Sequence, residues 1–127
     1  MSRQILTTDQ APSSPLFSQG VQAGPIIYVS GTTGTDVVTG QLAGPTIQEQ
    51  TRQALRNCEA ILAAGGATLD DVVQVTALLA DPADFAGFNE EYAATFPTEP
   101  PARAVAKLGV DVPGLLISIM MTAHLGH

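Results

Sequence analysis

The stretch TIQEQTRQALRNCEAILAAGG, residues 46–66, limits what this chain can fold into more than any other segment. Thr46 and Glu49 have the spacing of a capping box, in which each side chain satisfies an otherwise unpaired backbone N–H at a helix start. Ile47, Ala54, Leu55, Cys58, Ile61 and Leu62 then recur at three- and four-residue steps and make one apolar face. Gly65 and Gly66 end the pattern, since glycine accepts the positive φ that closes a helix. A helix apolar on one side must lay that side against a second layer. Cys58 is on the apolar face with no basic neighbour in sequence, so it is expected to pack rather than react.

The other segments supply that layer. RQILTT, residues 3–8, predicts a short opening strand, followed by the turn-rich DQAPSSP. PIIYVSG, residues 25–31, is β-branched and aromatic between glycines and predicts a second strand. TTGTDVVTGQLAG predicts a Gly/Thr-rich loop or a loose hairpin turning at Thr39-Gly40. VVQVTALLA, residues 72–80, has few polar breaks and predicts a strand covered on both faces. In DPADFAGFNEEYAATFP, Asp81 is placed to cap, Pro82 suits a first turn and Pro97 stops a second helix. Phe85, Phe88 and Tyr92 share a stripe closed by Phe96, the pattern of core packing. Residues 102–108 and 115–125 predict the last two strands. In the final one Ser118, Met120, Thr122 and His124 alternate with Ile117, Ile119, Met121, Ala123 and Leu125. The second set is the core face; the first is mixed and suits a pocket or a subunit contact. Residues 1–127 thus read as one domain, with elements in the order β, β, (β), α, β, α, β, β.

Charge narrows the function. Five Lys and Arg face twelve Asp and Glu, a net −7, so no basic stripe is available to neutralise a nucleic-acid backbone. Only 13% of residues are charged, which suits a chain that hides surface in an oligomer. No apolar run nears the ~18 residues of a membrane span. MSRQILTTDQ lacks the apolar core of a signal peptide, and one cysteine closes no internal disulfide. A cytoplasmic protein is expected. His124 and His127 have no Cys or carboxylate at ligand-like spacing, so no metal is expected. GTTGTDVVTG lacks the lysine and glycine order of a phosphate cradle, and Ser30 has no assignable base.

Arg103, in PPARAVAKLG, stands apart. A guanidinium at the mouth of an apolar strand keeps its charge and needs acceptors. Two readings stand at this point: an ion pair with one of the acidic residues, or a fork for the carboxylate of a small substrate.

Several pieces together resemble the RidA/YjgF (Rid) family: APSSPLFSQGVQAG, IIYVSGTTG, TGQLAG, the helix segment from Glu49 to Asp81, DFAGFNEEYAATF and PPARAVAKL. The combination of SQG, VSG, F-x-x-x-N-x-x-Y-x-x-x-F and P-x-R carries the resemblance over nearly the whole chain. It implies a chorismate-mutase-like α+β fold, a mixed sheet with two helices on one face. It also implies a homotrimer with a central barrel and clefts between neighbouring subunits. The implied activity is hydrolysis of enamine and imine carboxylates, such as 2-aminoacrylate, to 2-keto acids and ammonia without metal or cofactor. Arg103 matches the family's carboxylate-gripping arginine. Phe17 matches an aromatic lining the cleft, usually tyrosine. Ser30 and Gly31 match a backbone and hydroxyl corner, Asn89 matches the asparagine of the helix motif, and Thr32 stands where glutamine is usual.

The departures matter as much. The family's last strand commonly reads like IEIEAIA, and its second glutamate is associated with the attacking water. Here Ser118 and Met120 hold those two positions, and a thioether neither gives nor takes a proton. Val105 replaces a cysteine common two residues after the arginine. The expectation is a Rid deaminase for substrates at least as bulky and apolar as 2-aminoacrylate, with Met120 lining the cleft. The alternatives are a non-catalytic binder of 2-keto acids, or a pathway-specific relative acting on a different substrate.

Overall fold

The capping box forms as its spacing predicts. Thr46 Oγ1 accepts from the Glu49 N–H and Glu49 Oε1 accepts from the Thr46 N–H, each at 3.2 Å. They open α1, Ile47–Ala64, which closes at Gly66 with φ +81°. The computed structural model describes residues 3–126, so His127 lies outside the described residues. The strands in chain order are β1 (Gln4–Leu6), β2 (Gly20–Ala23), β3 (Ile26–Thr33), β4 (Thr35–Asp36), β5 (Gln41–Leu42), β6 (Val72–Leu79), β7 (Ala102–Lys107) and β8 (Ile117–His124). A second helix, α2, spans Phe85–Thr95.

Six strands make one sheet in the order β1-β2-β3-β8-β6-β7. Every neighbouring pair is antiparallel except β6 and β7, which run parallel. The sheet is therefore mixed, as expected for the α+β class. β4 and β5 form a small hairpin around Gly40, so of the two readings, loop or hairpin, the hairpin holds. The apolar stripe of α1 lies on β3 and β8: Leu55, Cys58, Ile61 and Leu62 pack with Ile27, Val29, Ile117, Ile119, Met121 and Ala123. α2 runs beside α1, tied to it by Arg52 Nε donating to Glu91 Oε1 at 2.9 Å and Gln48 Nε2 to Glu90 Oε2 at 2.8 Å. No helix among the described residues is long and apolar enough to cross a membrane.

Two sequence expectations need correction, and one strand carries no sequence signal: β2, which the reading leaves unassigned, pairs with both β1 and β3. Within one chain β6 is covered on one face: Val75, Ala77 and Leu79 are buried against the helices, while Val73 and Gln74 are exposed. Apolar content alone does not say which chain supplies the cover. Asp81 does cap, accepting from the Ala83 N–H, but the turn it opens is a short 3-10 turn over Pro82–Asp84 that precedes α2. Phe85 consequently sits at the rim, 46% exposed, while Phe88 and Tyr92 enter the core.

The alternation of β8 is realised as read. Ile117, Ile119, Met121 and Ala123 are buried; Ser118, Met120, Thr122 and His124 share the helix-free face. That face also carries Tyr28 from β3 and Thr76 from β6, and Tyr28 and Met120 are about half exposed.

Candidate functional site

Arg103 projects from β7, the strand at one edge of the sheet, on the face that carries the helices, because its register partner Val75 is buried there. Its Nη1 donates to Asn89 Oδ1 at 2.8 Å. Its guanidinium carbon lies 5.9, 5.7 and 4.8 Å from the ring centroids of Phe85, Phe88 and Tyr92. No carboxylate lies within ion-pair distance of it among the described residues, where the ion pair present is Arg52–Glu91. The two acids following Asn89 are engaged elsewhere, Glu90 with Gln48 and Glu91 with Arg52. The ion-pair reading of Arg103 therefore finds no partner in the described chain. Burial holds the Tyr92 phenol above its ordinary range, with the Arg103 charge pulling the other way. Beside this cluster an open depression of about 390 Å³ is lined by Leu79, Pro82, Phe85, Val105, Ala106 and Lys107.

Phe17, Ser30, Gly31 and Thr32 gather elsewhere. Phe17, Gly31 and Thr32 line a small depression of about 130 Å³ with Pro12, Gln19, Thr33 and Ile61. The register of β3 against β8 shifts between Val29 and Thr32, so Ser30 and Gly31 form a bulge, a common device for re-aiming side chains. A Cβ on Gly31 would come within 2.9 Å of Ser118 Oγ, so a side chain there requires that hydroxyl to turn aside. Ser30 Oγ donates to Ser18 O, and Thr32 Oγ1 to Ser30 O at 2.6 Å. Thr32 is largely buried at the floor of this depression. Met120 is on the helix-free face of β8, opposite Thr76, in a shallow depression with Tyr28, Gln74 and Thr122. It is thus on the other side of the sheet from Arg103.

The structure therefore unites Arg103 with Asn89, and Phe17 with Ser30, Gly31 and Thr32, but keeps the two groups apart within one chain. From β3 to β7 the sheet crosses three strand spacings, about 14 Å. Among the described residues no three His, Cys, Asp or Glu side chains converge as a metal site.

Sequence reasoning missed the buried amides that hold the site's loops. Gln19, 3% exposed, accepts from the Thr8 N–H and donates to Thr8 O, Ala11 O and Pro12 O, fixing the segment that leads to Phe17. Gln50 ties Gly44, Gly114 and Leu116, and Asn57 ties Thr33 and Thr35. The only signal for Gln50 and Asn57 was a polar residue close to the apolar face of a helix.

Residues 8–125 match the family model described as Endoribonuclease L-PSP. A RutC family protein of Saccharolobus solfataricus is 40% identical over 124 residues, covering 96% of this chain and 98% of the relative. The chain belongs to the RidA/YjgF family. A Rid relative from Mus musculus, named 2-iminobutanoate/2-iminopropanoate deaminase, is 38% identical over 125 residues, 98% of this chain and 93% of the relative. The solved structure of RidA from an Antarctic Psychrobacter superposes with a TM-score of 0.89 at 33% identity, covering 96% of this chain and 99% of that one. TdcF of E. coli, solved with bound serine, gives a TM-score of 0.88 at 28% identity, covering 97% and 99%.

Proposed function

We propose that this chain is a hydrolytic deaminase of small enamine and imine carboxylates, working in the cytoplasm as a homotrimer whose clefts lie between copies. The observation that carries the reading is Arg103: an unneutralised guanidinium in a chain of net charge −7, held by an amide and aromatic rings. The fork takes the substrate carboxylate in two parallel hydrogen bonds. The enamine tautomerises to the imine, water adds to the imine carbon, and ammonia leaves, giving the 2-keto acid. Holding the carboxylate fixes the reacting carbon relative to that water, which is where positioning lowers the barrier. Phe17, Ser30, Gly31 and Thr32 form the other wall, contributed by a neighbouring copy, since one chain separates them from Arg103. Phe17 makes that wall apolar, and Met120, on β8 across from the Ser30–Gly31 bulge, adds apolar surface next to it; both favour substrates bulkier than 2-aminoacrylate. The deaminase name of the mouse relative and the serine held by TdcF support a small amino or imino acid as the ligand class. The endoribonuclease description of the family model is not carried over, because a net charge of −7 opposes a polyanion.

The test generates 2-aminoacrylate and 2-iminobutanoate in situ beside the purified protein and follows 2-keto acid and ammonia release. Faster release that disappears in Arg103→Ala is expected; unchanged release for both substrates overturns the reading. A second reading, a carboxylate-binding homologue without turnover, draws on Met120, since its row on β8 holds Ser118, Thr122 and His124 but no acid. Binding of 2-ketobutyrate without accelerated hydrolysis selects it.

A further inference from the structure

We propose that Phe85, Phe88 and Tyr92 are positioning residues: an aromatic bed that holds Arg103 where other proteins use a counter-ion, leaving its charge and its fork free for the ligand. The inference rests on Arg103 being the carboxylate grip and deepens that reading.

A guanidinium offers two flat faces and an edge of five N–H donors. All three ring centroids lie within 6 Å of its central carbon, the range in which a ring's negative face attracts a cation. The edge gives one hydrogen bond, from Nη1 to Asn89 Oδ1, and its remaining donors meet no acceptor among the described residues. A carboxylate would hold the side chain equally well, but it would occupy the fork and cancel the charge that an anion must find. Rings do neither.

The bed is rigid where it matters. Phe88 is fully buried and Tyr92 6% exposed; their centroids are 5.5 Å apart, and Tyr92 packs on Phe96 at 5.0 Å. Tyr92 comes closest to the guanidinium, yet its buried hydroxyl makes no hydrogen bond among the described residues. Its contribution at this site is therefore the ring. Phe85, half exposed, closes the outer rim and also lines the neighbouring depression. α2 thus presents Phe85, Phe88, Asn89 and Tyr92 to one side chain of β7, and the stripe that reads as core packing has this second use.

The experiment compares the full-length protein with Tyr92→Leu, Tyr92→Phe, Phe85→Leu and Arg103→Ala. Two readouts are taken: affinity for 2-ketobutyrate by calorimetry, and the Arg103 Nε–H resonance, assigned by its loss in Arg103→Ala. Tyr92→Leu and Phe85→Leu are each expected to weaken binding about 2- to 5-fold, the range of cation–π contacts to an exposed cation such as Arg103. In both, the resonance moves toward its position in an unstructured arginine. Tyr92→Phe keeps the ring and restores resonance and affinity. Should Tyr92→Leu fail to fold, Phe85→Leu at the half-exposed rim carries the test. Leucine variants that leave both readouts unchanged, while Arg103→Ala abolishes binding, overturn the bed alone. If wild type does not bind 2-ketobutyrate, or Arg103→Ala binds as well as wild type, the carboxylate reading falls and the bed's purpose with it.

Discussion

Replacing Gln19 by leucine keeps most of the side-chain volume and removes the amide that fastens residues 8–12 to the start of β2. The amide oxygen accepts from the Thr8 N–H at 2.8 Å, and Nε2 reaches Thr8 O at 3.0 Å and Ala11 O and Pro12 O at 2.9 Å. Nε2 has only two protons, so its three carbonyl contacts share two hydrogen bonds. With the Thr8 bond that makes three, at a net worth of about 1 kcal/mol each. Some of the released groups are only part-buried and regain water, so Gln19→Leu is expected to cost roughly 2–3 kcal/mol. Urea unfolding measures it, as a lowered midpoint with an unchanged slope. Hydrogen exchange supplies the local signature: amides 8–18 exchange faster while those of α1 and β8 fall only with global stability. A loss below about 1 kcal/mol, or uniform exchange, would refute the assignment of Gln19 as the anchor of the Phe17 segment. Gln19→Glu sharpens the test. Facing three carbonyls in a buried site, the carboxyl is pushed up, so only its protonated form stabilises the fold. That variant is most stable in acid and loses stability as pH rises through the raised value.

Cys58 is fully buried, and desolvation pushes its thiol up to about 12, with the nearby Thr32 hydroxyl acting weakly in the other direction. An aromatic disulfide reagent at pH 8 should leave it unlabelled until denaturant is added; burial of the neutral thiol favours the fold fully below its unfolded value near 9 and is lost as pH rises toward 12. Thr46→Ala removes the capping box of α1 and should lower stability by about 1 kcal/mol in thermal or urea unfolding. Gly31→Ala forces a methyl to within 2.9 Å of Ser118 Oγ, so it should destabilise alone and recover when combined with Ser118→Gly, a non-additive pair in a double-mutant cycle.

What the sequence makes legible is what periodicity encodes. α1 and β8 are read correctly because their apolar residues repeat at the helical and pleated periods, and the same repeats state which face is inside. β2 is invisible for the opposite reason. GVQA lies between glycines with a glutamine inside it, and its place in the sheet comes from pairing with β1 and β3, a long-range cause. β6 shows a further limit: its apolar residues report that it is covered, but not that its own helices cover only one face. The site divides along the same line. The residue types in SQG, VSG and P-x-R carry the resemblance, whereas Arg103 resting on rings 11 to 18 positions earlier is a tertiary contact that no spacing rule announces.

The separation of Arg103 from Phe17 allows the shared cleft to be tested without a structure of the assembly. Arg103 leaves one edge of the sheet and the Phe17 group lies beyond three strand spacings, so no single copy completes the proposed cleft. A closed ring joins unlike patches, each copy giving its Arg103 edge to one neighbour and its Phe17 wall to the other. Arg103→Ala and Phe17→Asp then damage opposite walls; Phe17 is 47% exposed, so the second change spares the core. Each variant alone should be inactive toward the imine substrate. Unfolded together in equal amounts and refolded, they mix at random, and a given cleft draws an intact arginine with a chance of one half and an intact Phe17 with the same chance. About one quarter of wild-type activity should return, whatever the number of copies in the ring. Were both groups to act from the same chain, every cleft would hold one lesion and mixing would return nothing.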